Sequence, residues 1–203
     1  MRIACIGGGP AGLYFSISMK LRDPSCEVVV LERNKPDDTF GWGVVLSDET
    51  LENLEKNDPK SAATIRAHFA YWDDIALHFK GQRLVSSGHG FCGIGRKKLL
   101  MLLQQRAQDL GVDLRYETEV DSAEAYRSDY DVVVANDGLN SKARMLYQDT
   151  FEPKIDQRLC QFVWLGTHQT FKDAFTFIFE ETEHGWVWVH AYQFDQDTAT
   201  FIV

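Results

Sequence analysis

Glycines 7, 9 and 12, in the run Gly7-Gly8-Gly9-Pro10-Ala11-Gly12, carry the spacing Gly-x-Gly-x-x-Gly. Such a run can cradle a pyrophosphate. The first glycine permits a tight turn, the second lets the backbone approach the phosphates, and the third lets a helix pack closely on a strand. A helix opening at Pro10, where a missing N–H costs nothing, would aim free N–H groups and a partial positive charge at the anion. Glu32 lies 20 residues past Gly12 and is followed by Arg33. A carboxylate there can accept hydrogen bonds from both hydroxyls of a ribose. The pattern reads as an adenine-dinucleotide site; the bland alternative is a glycine turn with a surface glutamate. Two histidines add proton chemistry. His190 follows Trp186 and Trp188 in alternation, so in a strand all three share a face. Its ring can deprotonate or hydrogen-bond a phenol or an aniline, or it is a satisfied polar residue of a sheet. His89 stands between Gly88 and Gly90, which reads first as a turn and second as a close approach to a ligand. Tyr192 lies on the face of His190.

The elements that would position these groups are legible from periodicity. Ile3–Ile6 is a short apolar run before glycines, a buried strand. Leu13, Ile17 and Leu21 recur at helical spacing, and Glu27–Leu31 is a second buried strand. Residues 34–41 read as loop, and 48–57 and 59–69 as helices split by Asp58-Pro59. Trp72–Phe79 and Gln82–Ser87 flank Lys80-Gly81 as a hairpin. Arg96–Leu110 is a helix with Leu99, Leu103, Ala107 and Leu110 on one face and Gly111 at its stop. Val112–Tyr116 and Asp131–Ala135 are two more strands. After residue 150 the texture changes to four strand-like runs: Cys160–Thr167, Phe175–Glu181, Trp186–Tyr192 and Thr198–Val203. The expected class is α/β: a Rossmann-like βαβ layer with a parallel sheet, carrying an antiparallel sheet. Residues 1–70 and 91–150 are assigned to the first domain, 71–90 and 151–203 to the second.

Further segments resemble flavin-dependent aromatic hydroxylases. Val132-Val133-Val134-Ala135-Asn136-Asp137-Gly138, followed by Ser141 and Arg144, is similar to their Asp-Gly segment. Gly95-Arg96-Lys97-Lys98-Leu99 is similar to their Arg-x-x-Leu helix start. Gly41–Ser47, Ser87-Gly88-His89-Gly90 and Trp186–Tyr192 resemble the branch acting on salicylyl-CoA and 2-aminobenzoyl-CoA. The resemblance implies FAD as cofactor, NADH or NADPH as electron donor, oxygen as co-substrate and a small aromatic or aromatic-CoA substrate. It implies that Arg96, Asp137 and Gly138 contact the cofactor, that Gly43 and Val44 lie against the flavin, and that His89 and Tyr192 line the substrate. An arginine at a helix start is itself unhelpful to the helix dipole unless an anion sits there; the alternative is an exposed charge with no role. Many relatives carry an arginine where Gly41-Trp42 stands. The family's later Gly-Asp motif has no counterpart, so the resemblance implies an N-terminal part of a longer enzyme. In such a part Phe201-Ile202-Val203 would be an uncovered strand edge, open to self-association.

Such chemistry needs no protein nucleophile, and the sequence has no Gly-x-Ser-x-Gly, no His-Glu-x-x-His and no Walker loop. Trp186-x-Trp188 also resembles the Trp-x-Trp-x-Ile-Pro of flavin-dependent halogenases, but Val189-His190-Ala191 replaces its end. A binding module for NAD is the third reading. A net charge of −9 argues against nucleic acid, whose phosphates call for a basic face. No apolar run reaches the roughly 20 residues of a membrane span. Cys5, Cys26, Cys92 and Cys160 form no paired motif, which suits a reduced, cytoplasmic protein; Cys92 reads as packing rather than reactive. No metal site is expected.

Overall fold

Alternation of apolar strands with helices governs the first forty residues, and β-rich texture governs much of the remainder. The computed structural model describes residues 1–203. In chain order the elements begin β1 (Arg2–Ile6), α1 (Pro10–Arg22), β2 (Glu27–Leu31), β3 (Gly43–Ser47), α2 (Asp48–Asn57) and α3 (Pro59–Arg66). Next come β4 (Ala70–Trp72), β5 (Asp74–Phe79), β6 (Gln82–Ser86), β7 (Phe91–Gly95), α4 (Arg96–Asp109), β8 (Asp113–Arg115) and β9 (Val132–Ala135). The last are α5 (Lys142–Leu146), α6 (Gln148–Phe151), β10 (Trp164–Thr167), β11 (Ala174–Thr182), β12 (Gly185–Gln193) and β13 (Ala199–Ile202).

The chain divides into two compact units, residues 1–38 with 100–157 and residues 39–99 with 158–203. The first unit holds a parallel sheet in the order β8-β2-β1-β9. Its strands β1 and β2 are buried along almost their whole length, as a parallel sheet requires, and Leu13 and Ile17 of α1 are buried with them. Ala4, Val29 and Leu31 form one cluster, with Val120, Tyr126 and Tyr130 packed against it. Ile6, Ala123 and Ala143 form another. β9 ends the sheet order, so its outer side has no strand beside it.

The second unit holds a six-stranded sheet, β10-β13-β12-β11-β5-β6, and a three-stranded sheet, β3-β7-β4. The hairpin turning at Lys80-Gly81 joins the larger sheet as expected, but β5 lies parallel to β11, so this sheet is mixed. The division differs from the expected domains at 39–70 and 91–99, which go with the antiparallel strands, and at 151–157, which go with the parallel sheet. The reason is pairing. β3 hydrogen-bonds β7, and the Gly43 N–H donates to Thr200 Oγ1 at 2.9 Å. Glycines stand in both strands, Gly43 in β3 and Gly93 and Gly95 in β7. Cβ atoms at Gly43 and Gly93 would stand 2.6 Å from Phe194 and from the Gln193 carbonyl. Strand β13 is not the open edge expected of Phe201–Val203. β10 flanks it on one side and β12 on the other, and the Val203 N–H donates to the Val163 carbonyl at 3.0 Å. No helix is long and apolar enough to cross a membrane.

Candidate functional site

Two of the three motif glycines in the first turn have a steric reason within the protein. Gly7 has φ +103°, and a Cβ there would stand 2.4 Å from the Asn136 carbonyl oxygen. A Cβ on Gly12 would come within 2.1 Å of the Gly7 carbonyl oxygen, so the third glycine lets α1 sit on the turn. Around Gly9 a Cβ would meet nothing within 4 Å. The second glycine is thus required by nothing inside the protein, and the space before it is free for a ligand. Pro10 begins α1 and Leu13 N–H makes the first helical bond, to the Gly9 carbonyl at 3.0 Å. No side chain caps this end and its first turn holds no acidic residue, so its leading N–H groups and the helix dipole would favour an anion placed there.

Glu32 closes the turn from β2. Its Oε2 accepts the Gly8 N–H at 2.7 Å, and Oε1 accepts both the backbone N–H and the side-chain amide of Asn34 at 2.8 Å. A carboxylate has roughly four acceptor directions, so a ribose would share Oε1 with Asn34. Arg33 is exposed beyond it. At the end of β9, Asn136 donates its backbone N–H to Ile6 at 2.7 Å, while its side-chain amide nitrogen is buried without a partner. That orphaned donor lies beside the glycine turn, with its Cβ 3.5 Å from where a Gly12 Cβ would stand. Asp137 is oriented by α5: it accepts Ser141 Oγ–H at 2.6 Å and the Ala143 N–H at 3.2 Å. Gly138 follows at φ +80°. A helix start with free donors, open space at Gly9 and a glutamate at the strand end fit an adenine dinucleotide.

In the second unit, Arg96 begins α4 and places its guanidinium over the Trp164 ring, 5.9 Å from the centroid. Trp164 packs on Gly41, and Trp42 packs reciprocally on Gly166, each where a Cβ would meet the ring at 2.6 Å. Gly43 is buried beneath Phe194, with half-buried Val44 beside it. Tyr192, 5% exposed, donates its hydroxyl to the Gly43 carbonyl at 2.8 Å. The hydroxyl expected to meet substrate is therefore already committed to holding Gly43.

His190 lies half-buried on the face of β12 that carries Trp188, as the alternation requires. Its ring centroid is 4.3 Å from Trp188, 5.0 Å from Phe177 and 6.2 Å from Phe175. The imidazole has no hydrogen-bond partner in the chain, and burial among these rings holds its pKa below the ordinary histidine value. A neutral ring with free nitrogens, set in an aromatic wall, can take or share the proton of an aromatic hydroxyl or amine. His89 is exposed and accompanied by Ser86, at 2.8 Å from its Nε2. Cys92 is buried, donates to the Leu46 carbonyl at 3.4 Å and has its thiol pKa pushed up to about 11 by burial, so it packs rather than reacts. Sequence reasoning overlooked Asn136, Trp164, Phe175 and Asp73. Each looks ordinary until a distant segment is folded against it.

A family model described as "FAD binding domain" matches residues 1–196. Salicyloyl-CoA 5-hydroxylase of Streptomyces sp is 44% identical over all of this chain and 39% of its own length. Protodeoxyviolaceinate monooxygenase of Chromobacterium violaceum is 30% identical over all of this chain and 54% of its own. The chain thus spans about half the length of the curated relatives it matches. Among solved structures, the tetrameric form of 2-methyl-3-hydroxypyridine-5-carboxylic acid oxygenase superposes with a TM-score of 0.80 at 18% identity, covering 99% of this chain and 57% of that one.

Proposed function

We propose, since this chain belongs to the FAD-binding domain family, that it serves an FAD-dependent monooxygenase that hydroxylates an aromatic acyl thioester, using NADH or NADPH and oxygen. Gly7, Gly9, Pro10, Ala11 and Gly12, with Glu32, Asp137 and Gly138, would hold the cofactor; the family resemblance adds Arg33, Gly43, Val44 and Arg96. When bound and reduced by the nicotinamide donor, FAD supplies the oxygen-activating chemistry. The protein's part is orientation, exclusion of water and proton handling.

The observation that carries the aromatic substrate is His190, an imidazole without an internal partner among Phe175, Phe177 and Trp188. Phenyl rings offer stacking and edge contacts to a substrate ring. A neutral His190 nitrogen accepts the proton of a ring hydroxyl or amine, which raises electron density on the carbon to be oxygenated. The thioester arm rests on the likeness to a relative that acts on salicyloyl-CoA. A cytoplasmic setting belongs to the same reading, because all four cysteines are free thiols. The test is to supply the intact protein with FAD, NADH or NADPH, and salicyloyl-CoA. Flavin absorption and a product one oxygen atom heavier are expected; a colourless protein, or nicotinamide oxidation without oxygenated product, would count against the proposal.

A further inference from the structure

The loop between β6 and β7 is held with more order than a connection requires. Asp73, at the break between β4 and β5, takes three consecutive backbone N–H groups. Its carboxylate accepts Gly88 at 3.0 Å and Gly90 at 3.2 Å, and its main-chain oxygen accepts His89 at 3.0 Å. Both glycines are left-handed, at φ +85° and +58°, which ordinary side chains rarely adopt. The effect is to hold His89 in one place. Its Nε2 is tied to Ser86 Oγ, and its ring lies nearly parallel to Phe91, 6.1 Å away with 19° between planes. Phe91 in turn meets Phe175 edge-on at 5.8 Å, and Phe175 meets His190 edge-on at 6.2 Å. One continuous wall of rings therefore joins the two imidazoles, and the stretch between them is longer than a single aromatic ring.

Resting on the reading of an aromatic acyl thioester, we propose that His89 binds the acyl arm of the substrate and that Asp73 and Ser86 are its positioning residues. The ring to be hydroxylated lies at the His190 end, against Phe177 and Trp188. The arm runs past Phe175 and Phe91 and reaches His89. With the Ser86 hydroxyl donating to Nε2, the proton of His89 sits on Nδ1 and is donated to a carbonyl oxygen of the arm. Asp73 acts at a distance by setting the loop, and it touches no substrate itself.

Trp188 is 50% exposed beside His190, so its fluorescence reads the wall. The intact protein is titrated with salicylate, which has no arm, and with the N-acetylcysteamine thioester of salicylic acid, which has a short one. Wild type is expected to bind the thioester more tightly than salicylate. His89→Ala weakens the thioester about tenfold, the scale of one hydrogen bond, and leaves salicylate unchanged. Asp73→Asn and Ser86→Ala follow His89→Ala in that selectivity, while His190→Gln weakens both ligands. Circular dichroism checks that Asp73→Asn is folded; His89→Ala, at an exposed position, carries the test if it is not. His89→Ala weakening both ligands equally, or neither, would overturn the assignment of His89 while leaving the aromatic reading standing. Wild type binding neither ligand would overturn the aromatic reading itself, and the proposal with it.

Discussion

Gly9 and Gly12 are the same residue type doing opposite work, and substitution separates them. Gly9→Val adds a side chain to open space, so the fold should survive, while FAD binding is lost because the branch fills the room a pyrophosphate needs. Gly12→Ala brings a methyl within 2.1 Å of the Gly7 oxygen and should lower stability outright. Thermal denaturation beside FAD titration distinguishes the two; a Gly9→Val protein that binds FAD normally would make the glycine a mere turn residue. Glu32 serves both the fold and the ligand, since it accepts from Gly8 and Asn34. Glu32→Ala should cost about 1.5–3 kcal/mol of stability, the range for hydrogen bonds to a charged group, and weaken FAD as well. Glu32→Gln, which keeps an acceptor for Gly8, should lose less stability. Denaturant melts and calorimetric titration of both variants check this. At His190 burial lowers the pKa, so the folded state binds fewer protons than the unfolded one as pH falls. Its contribution to stability is fully present above the ordinary histidine value near 6.5 and is lost as pH falls through the lowered folded value. His190→Gln should flatten that part of the stability profile and, on the proposed function, slow hydroxylation by the roughly 10²–10⁴-fold typical of acid–base assistance. An unchanged rate would make it a structural residue.

Elements in the second unit are locked by pairs of glycine and tryptophan. Trp164 fills the space over Gly41, and Trp42 the space over Gly166, which ties the segment before β3 to β10. Arg96 N–H donates to the Trp42 carbonyl at 2.7 Å, so the start of α4 depends on the same segment. Gly166→Val should displace Trp42 and destabilise the protein by about 1–3 kcal/mol, the usual cost of overpacking. Urea unfolding measures it, and a neutral effect would mean that Trp42, 46% exposed, simply swings away. The same logic explains why β3 and β7 escape periodicity: Gly43 and Gly93 owe their presence to rings and backbone arriving from β4 and β12 or just beyond.

For the molecule as a whole, ligand and fold are linked. Anything that binds the folded chain and not the unfolded one stabilises it, by about 2.7 kcal/mol when present at a hundred times its Kd. FAD should therefore raise the melting temperature in proportion to the logarithm of its concentration, and Gly9→Val should abolish the rise. A melting temperature indifferent to FAD would show that the open space at Gly9 is not a ligand site. The mixed α/β class was readable in outline, since a change from alternating strand and helix to consecutive strands is a local signal. The glycine turn, α1, Glu32, the length of α4 and the shared face of Trp188 and His190 were readable for the same reason: each depends on neighbours within one element or one βαβ unit. What only the tertiary structure decided were partners far apart in sequence. It made β5 a parallel neighbour of β11, gave β13 a strand on each side and committed the Tyr192 hydroxyl to Gly43. It brought Asp73 to the His89 loop and lined up Phe91, Phe175 and His190 as one wall. Periodicity states which side of an element is apolar; which other segment lies against that side is set by long-range packing, of which a local pattern holds no record.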